Sequence, residues 1–86
     1  MTTILFITTP GCEDCKLAKA LIVQAAVMAH EEVTFKELNY DCDEAVEKAL
    51  LYGLNSVPSF VIRGKAFNRT EPPIDELIQA LRSKTV

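Results

Sequence analysis

The chain has no tryptophan, one histidine, three glycines and three cysteines among its 86 residues. No apolar run approaches the roughly 20 residues that a membrane span needs. Twelve acidic against nine basic side chains give a net charge of −3, with no basic block. These features exclude a nucleic-acid footprint and attraction to an anionic membrane surface. Three cysteines are too few, and odd in number, for the disulfide scaffold of a small secreted domain. A single histidine leaves no Ser-His-Asp set, and no glycine-rich stretch could cradle a phosphate. Structural zinc sites use two close ligand pairs. Only Cys12 and Cys15 form such a pair, and a helix between Cys15 and His30 would hold them roughly 22 Å apart at 1.5 Å per residue. No metal site is expected. Met1-Thr2-Thr3-Ile4 carries no positive leader before its strand pattern, so a cytoplasmic protein is expected.

What remains is ample apolar material, at 49% of residues, arranged as one domain over residues 1–86. Ile4-Leu5-Phe6-Ile7 reads as a strand buried on both faces. Pro10-Gly11 ends it. A helix is expected from about Glu13 to His30, with a core stripe of Leu17, Leu21, Ala25 and Met28. Val23 and Val27 lie off that stripe and are expected to pack at its edge. Val33, Phe35 and Leu38 mark a second strand. Asp41 and Glu44 suggest a capping box for a second helix, which Gly53 would end in the left-handed conformation. Pro58–Ile62 is a third strand. Gly64-Lys65 turns into a fourth around Ala66-Phe67-Asn68. Pro72-Pro73 opens a last helix with the stripe Ile74, Leu77, Ile78 and Leu81. The order is βαβαββα, an α/β fold. The first unit should make a right-handed parallel crossover and the last two strands a hairpin. A mixed four-stranded sheet flanked by three helices covers every stripe.

The chemistry concentrates in Thr9-Pro10-Gly11-Cys12-Glu13-Asp14-Cys15-Lys16, where strand gives way to helix. Two thiols at this spacing can reach each other, and the helix's positive end favours a thiolate by about 0.3–1 kcal/mol. Cys12, ahead of the helix, is the expected attacking thiol. Cys15, a turn inside it, is the expected resolving thiol. Glu13 and Asp14 oppose the Cys12 thiolate by like charge, while Lys16 and Lys19 favour it. A moderately lowered Cys12 pKa and a reducing character follow. Cys42 stands among Asp41, Asp43 and Glu44, surroundings that mark it as a bystander. His30 is read as a solvated helix-end residue.

Cys12-Glu13-Asp14-Cys15 after a first strand, with Ser56-Val57-Pro58-Ser59-Phe60 opening a third, resembles the thioredoxin/glutaredoxin superfamily. The resemblance spans essentially the whole chain and is nearest to small glutaredoxin-like thioredoxins. It implies a thioredoxin fold, a cis bond before Pro58, and a substrate groove formed by Pro10, Gly11, Val57 and Pro58. In that groove the Val57 backbone would pair with an extended peptide or with glutathione. It also implies a thiol–disulfide oxidoreductase that acts on disulfide-containing proteins. Such an enzyme is expected as a monomer with no tightly bound cofactor. Its electrons would come from a thioredoxin reductase/NADPH system or from glutathione. The chain differs from typical thioredoxins in having no tryptophan before Cys12. It differs from typical glutaredoxins in carrying Glu13-Asp14 between the cysteines and no glycine pair within Asn68–Pro73. The alternatives are a glutathione-dependent glutaredoxin and a non-enzymatic adaptor that keeps the fold.

Overall fold

A computed structural model of the chain describes residues 2–83. The elements are β1 (Thr2–Thr8), α1 (Glu13–Ala29), β2 (Val33–Asn39), α2 (Asp43–Tyr52), β3 (Ser59–Ile62), β4 (Lys65–Phe67) and α3 (Ile74–Arg82). The strands lie in the order β2-β1-β3-β4. β1 runs parallel to β2 and antiparallel to β3, which pairs antiparallel with β4. Successive side chains of a strand face opposite sides of its sheet. Ile4 and Phe6 of β1 therefore join the cluster under α1 and α3. Ile7, with Leu5 beside it, joins a smaller cluster under α2. This is the expected mixed four-stranded sheet, covered by helices on both faces.

All four phenylalanines stand on the α1/α3 face, one per strand. Phe35 of β2 meets Phe6 of β1 edge-on at 5.9 Å. Phe6 stacks on Phe60 of β3 at 6.0 Å, and Phe60 stacks on Phe67 of β4 at 5.0 Å. The register sets this row, since Phe6 pairs with Phe60 and Phe60 with Phe67.

The α1 stripe differs from the expected one. Cys15, Ala18, Ile22, Ala25, Ala26 and Ala29 are buried, whereas Leu17 and Met28 are half exposed and Leu21 is partly covered. Val23 and Val27 face outward and do not pack at the core edge. The cause is the neighbourhood: α1 shares its sheet face with α3 and the phenylalanine row. The side turned inward is therefore the one whose alanines permit close approach, not the one with the largest side chains.

Local signals also shifted. The N-cap of α2 is Cys42, whose Sγ accepts from the Ala45 amide at 3.4 Å, and not Asp41. Glu44 serves no capping box and pairs with Lys36. Gly53 takes the left-handed cap as expected, at φ 70°. The hairpin turn is Arg63-Gly64, both at positive φ, with Lys65 already in β4. Two such residues suit the type I′ twist that matches the flanking strands. Arg63 is anchored by donation to the Leu81 carbonyl at 3.1 Å and to Thr2 Oγ1 at 2.8 Å. Pro73 is the N-cap of α3 and lies outside the helix itself. Asn68 leaves the strand to brace the loop before β3. It accepts from the Asn55 amide at 3.0 Å and donates to the Gly53 carbonyl at 3.2 Å.

Candidate active site

β1 ends at Thr8, and the chain must reverse within a few residues to start α1. Gly11 makes the reversal at φ 73°, a conformation most other side chains resist. Cys12 follows as N-cap in an extended conformation, and its Sγ accepts from the Cys15 amide at 3.0 Å. A cysteine thus does here what serine or aspartate does at most N-termini: it satisfies an orphan donor of the first turn. Such a donor stabilises negative charge on the sulfur that receives it.

Cys12 and Cys15 form a disulfide, with Cα atoms 5.2 Å apart. The two sulfur-bearing residues differ in access. Cys12 is partly exposed, while Cys15 is 4% exposed and belongs to the main core. Glu13 and Asp14 point outward in the first turn, and Lys16 lies 3.6 Å from Glu13 in an exposed pair. Each acid's influence on Cys12 is therefore exerted through water, and that of Glu13 is partly balanced by Lys16.

A cavity of about 220 Å³ opens beside the disulfide. Phe6, Thr8, Thr9 and Gly11 line it together with both cysteines, and Lys16, Lys19 and Glu37 complete it. Lys19 and Glu37 form a 2.7 Å ion pair there. Glu37 was not among the residues singled out from the sequence. Lys19 carried a signal, because it lies one helical turn beyond Cys15 on the same face of α1. Glu37 carried none, because only the parallel pairing of β2 with β1 brings it to this end of α1.

The Val57–Pro58 bond is cis. Ser59 pairs with Ile7, so the register carried one step further sets Pro58 across from Thr8, at the sheet end that bears the cysteine turn. Pro58 is buried and Val57 is 37% exposed. Val57 lines a second cavity of about 210 Å³, on the α2 side, with Ile7, Tyr40 and Leu54. The two cavities share no residue. Cys12, Cys15, Gly11 and Lys16 come together in the first, Val57 borders the second, and Pro10, Glu13 and Asp14 line neither.

No family profile matches the chain. A thioredoxin of Methanocaldococcus jannaschii is 29% identical over 77 residues, 90% of this chain and 88% of that protein. A probable thioredoxin of Archaeoglobus fulgidus is 30% identical over 82 residues, 95% of this chain and 88% of that one. The chain belongs to the thioredoxin superfamily. The crystal structure of a thioredoxin-like protein superposes with a TM-score of 0.60 at 29% identity, covering 91% of this chain and 99% of the other. A malarial protein at 11% identity shares the fold, also at 0.60. Thioredoxin relatives and a cysteine pair in Cys-x-x-Cys spacing together give this chain a thioredoxin-like redox function. Among the described residues no helix is long and apolar enough to cross a membrane.

Proposed function

We propose that the protein reduces disulfides of other proteins by cycling Cys12 and Cys15 between dithiol and disulfide. The observation that carries this reading is the asymmetry of the pair. One sulfur caps a helix, receives an amide hydrogen bond and is open to solvent. The other is buried within bonding distance of it. The accessible Cys12 thiolate attacks a substrate disulfide and forms a mixed disulfide. Cys15 then attacks Cys12 and releases the reduced substrate. Extended polypeptide would dock along Pro10, Gly11, Val57 and Pro58, with the backbone of Val57, a residue 37% exposed, as its pairing partner. The protein would work as a cytoplasmic monomer without a bound cofactor.

Electrons returning to the pair come from a thioredoxin reductase and NADPH in this reading. The segment Asn68–Pro73 lacks the glycine pair with which typical glutaredoxins hold glutathione, and Asn68 is engaged in bracing the 53–56 loop. Insulin reduction, run in parallel with thioredoxin reductase plus NADPH and with glutathione plus glutathione reductase, tests the reading. Turnover is expected in the first system. Turnover confined to the second would make the protein a glutaredoxin, and none in either would leave the adaptor reading.

The charges around Cys12 allow a second check. Replacing Glu13 and Asp14 together by Gln and Asn should lower the Cys12 pKa only modestly, since exposed charges act weakly through water. Thiolate absorbance during a pH titration of the reduced protein measures it. A rise in the Cys12 pKa would contradict the assigned sign of the two acids.

A further inference from the structure

The cavity of about 210 Å³ on the α2 side runs from the exposed Tyr40 and Val57 to Ser59, which is fully buried. Between them its walls are apolar, formed by Ile7, Ala45, Ala49 and Leu54. Ser59 shares its side of β3 with Val61, a member of the cluster under α2, so its hydroxyl is turned into this space. Ser59 Oγ has no hydrogen-bond partner among the described residues. A buried hydroxyl left in that way is costly, and a group that enters and bonds to it removes the cost. The loop that closes the cavity is already set. The Asn55 amide donates to Asn68 Oδ1 at 3.0 Å, and Ser56 Oγ donates to the Asn68 carbonyl at 3.2 Å. An apolar cavity of roughly 150 Å³ suffices for a benzene ring, so this one has room for a phenol.

The position of this cavity decides what can enter it. Val57 belongs to the proposed docking groove and also borders the cavity, so the two are continuous. Phe6 borders the cysteine cavity and Ile7 this one, on opposite faces of the sheet. Alternate side chains of an extended peptide also point to opposite sides. A peptide paired with Val57 that turns a cysteine toward Cys12 therefore turns the neighbouring side chain toward α2. Leucine or phenylalanine there fills the apolar walls but leaves Ser59 without a bond. A charged side chain loses its hydration to those walls. Tyrosine brings both the ring and, at its tip, a hydroxyl for Ser59. We propose that the cavity is a subsite for a tyrosine side chain next to the cysteine of a substrate disulfide, read by Ser59 Oγ. This deepens the oxidoreductase reading and rests on it. It names the substrate class as polypeptides whose accessible disulfide is flanked by tyrosine.

Disulfide-linked dimers of short, end-blocked peptides test it, with tyrosine, phenylalanine or alanine placed before or after the cysteine. Each event oxidises the Cys12–Cys15 dithiol to its disulfide and reduces one peptide disulfide to two thiols, which chromatography of quenched samples counts. In one of the two orders, the reduced full-length protein should act on the tyrosine peptide at least about tenfold faster than on the alanine peptide, the effect of filling an apolar pocket. It should act about fivefold faster on tyrosine than on phenylalanine, the effect of one hydrogen bond. Ser59→Ala should erase the preference for tyrosine over phenylalanine and keep that for a ring over alanine. Ala49→Leu, which fills the cavity from α2, should erase both. Binding is also read without turnover or substitution. p-Cresol added to the oxidised protein should shift the amide NMR signals of Ala45, Ala49 and Ser59 more than those of Thr9 and Lys16, which line the other cavity. Equal rates on all the peptides, a tyrosine preference over phenylalanine that survives Ser59→Ala, or p-cresol shifts that spare Ser59 overturn the proposal. If none of the peptides is reduced and Cys12 and Cys15 remain a dithiol, the oxidoreductase reading falls instead.

Discussion

Cys12→Ser should abolish disulfide reduction, a loss of at least about a thousandfold, the scale on which removal of a nucleophile acts. Serine can keep the cap: its hydroxyl still accepts from the Cys15 amide, so helix α1 should start as before. It cannot attack a disulfide at neutral pH, because only a thiolate does so at a useful rate. Fold and chemistry are therefore separable at this position. The variant should unfold near the denaturant midpoint of the reduced wild type, since neither carries the Cys12–Cys15 disulfide, while its insulin reduction falls to the background of the assay.

Cys15→Ser should fail differently. Cys12 still attacks, but nothing within reach displaces the substrate, so the mixed disulfide persists and the protein gains the mass of one substrate thiol per chain. Mass spectrometry under non-reducing conditions reads this directly. If Cys12→Ser keeps its turnover, or if the Cys15→Ser protein captures no substrate, the assignment of attacking and resolving sulfurs is wrong. The exposures of the two residues argue against exchanged roles. A substrate disulfide is too bulky to enter beside a side chain that packs with Ala18, Ile22 and Phe6 in the main core.

Much of this site was legible in the residues, because its parts are local. Pro10-Gly11 must turn, the acids of the first turn mark a helix start, and two cysteines one turn apart must lie close. Gly53 was legible for the same reason. The cis bond before Pro58 was not a reading of local chemistry; it followed from the resemblance. Two things failed for lack of non-local information. Apolar size did not reveal which side of α1 faces inward, since α1 meets both the sheet and α3, and alanine then outranks leucine at the closest approach. Glu37 was invisible because strand pairing, not sequence distance, brings it to the cysteine turn. The Cys42 cap failed for another reason. Asp41 and Cys42 are adjacent and both can accept from an amide, so only the entry angle of the chain into α2 decides between them.

Phe60→Ala should cost about 3–5 kcal/mol, the usual range for removing a buried phenylalanine. The upper half of that range is expected here. Phe60 is fully buried and is the middle of the row, stacked at 6.0 Å on Phe6 and at 5.0 Å on Phe67. Its loss removes both ring contacts, each worth about 0.5–1.5 kcal/mol beyond area burial. A domain of this size holds only about 4–13 kcal/mol in total, at roughly 0.05–0.15 kcal/mol per residue. The variant should therefore lie near its unfolding threshold at 37 °C. Urea denaturation of the oxidised protein measures the effect. Leu50→Ala, at an 81% exposed position of α2, is the control and should stay within about 0.5 kcal/mol. A loss under about 1.5 kcal/mol for Phe60→Ala would mean that the row is not the keel of the sheet. The consequence reaches the site through one residue. Phe6, which Phe60 supports from across the strand pair, also lines the cavity beside the disulfide. A hole at Phe60 lets Phe6 drop toward it, away from Cys15. Any Phe60→Ala protein that remains folded should thus resolve mixed disulfides more slowly than wild type, even though position 60 lines neither cavity.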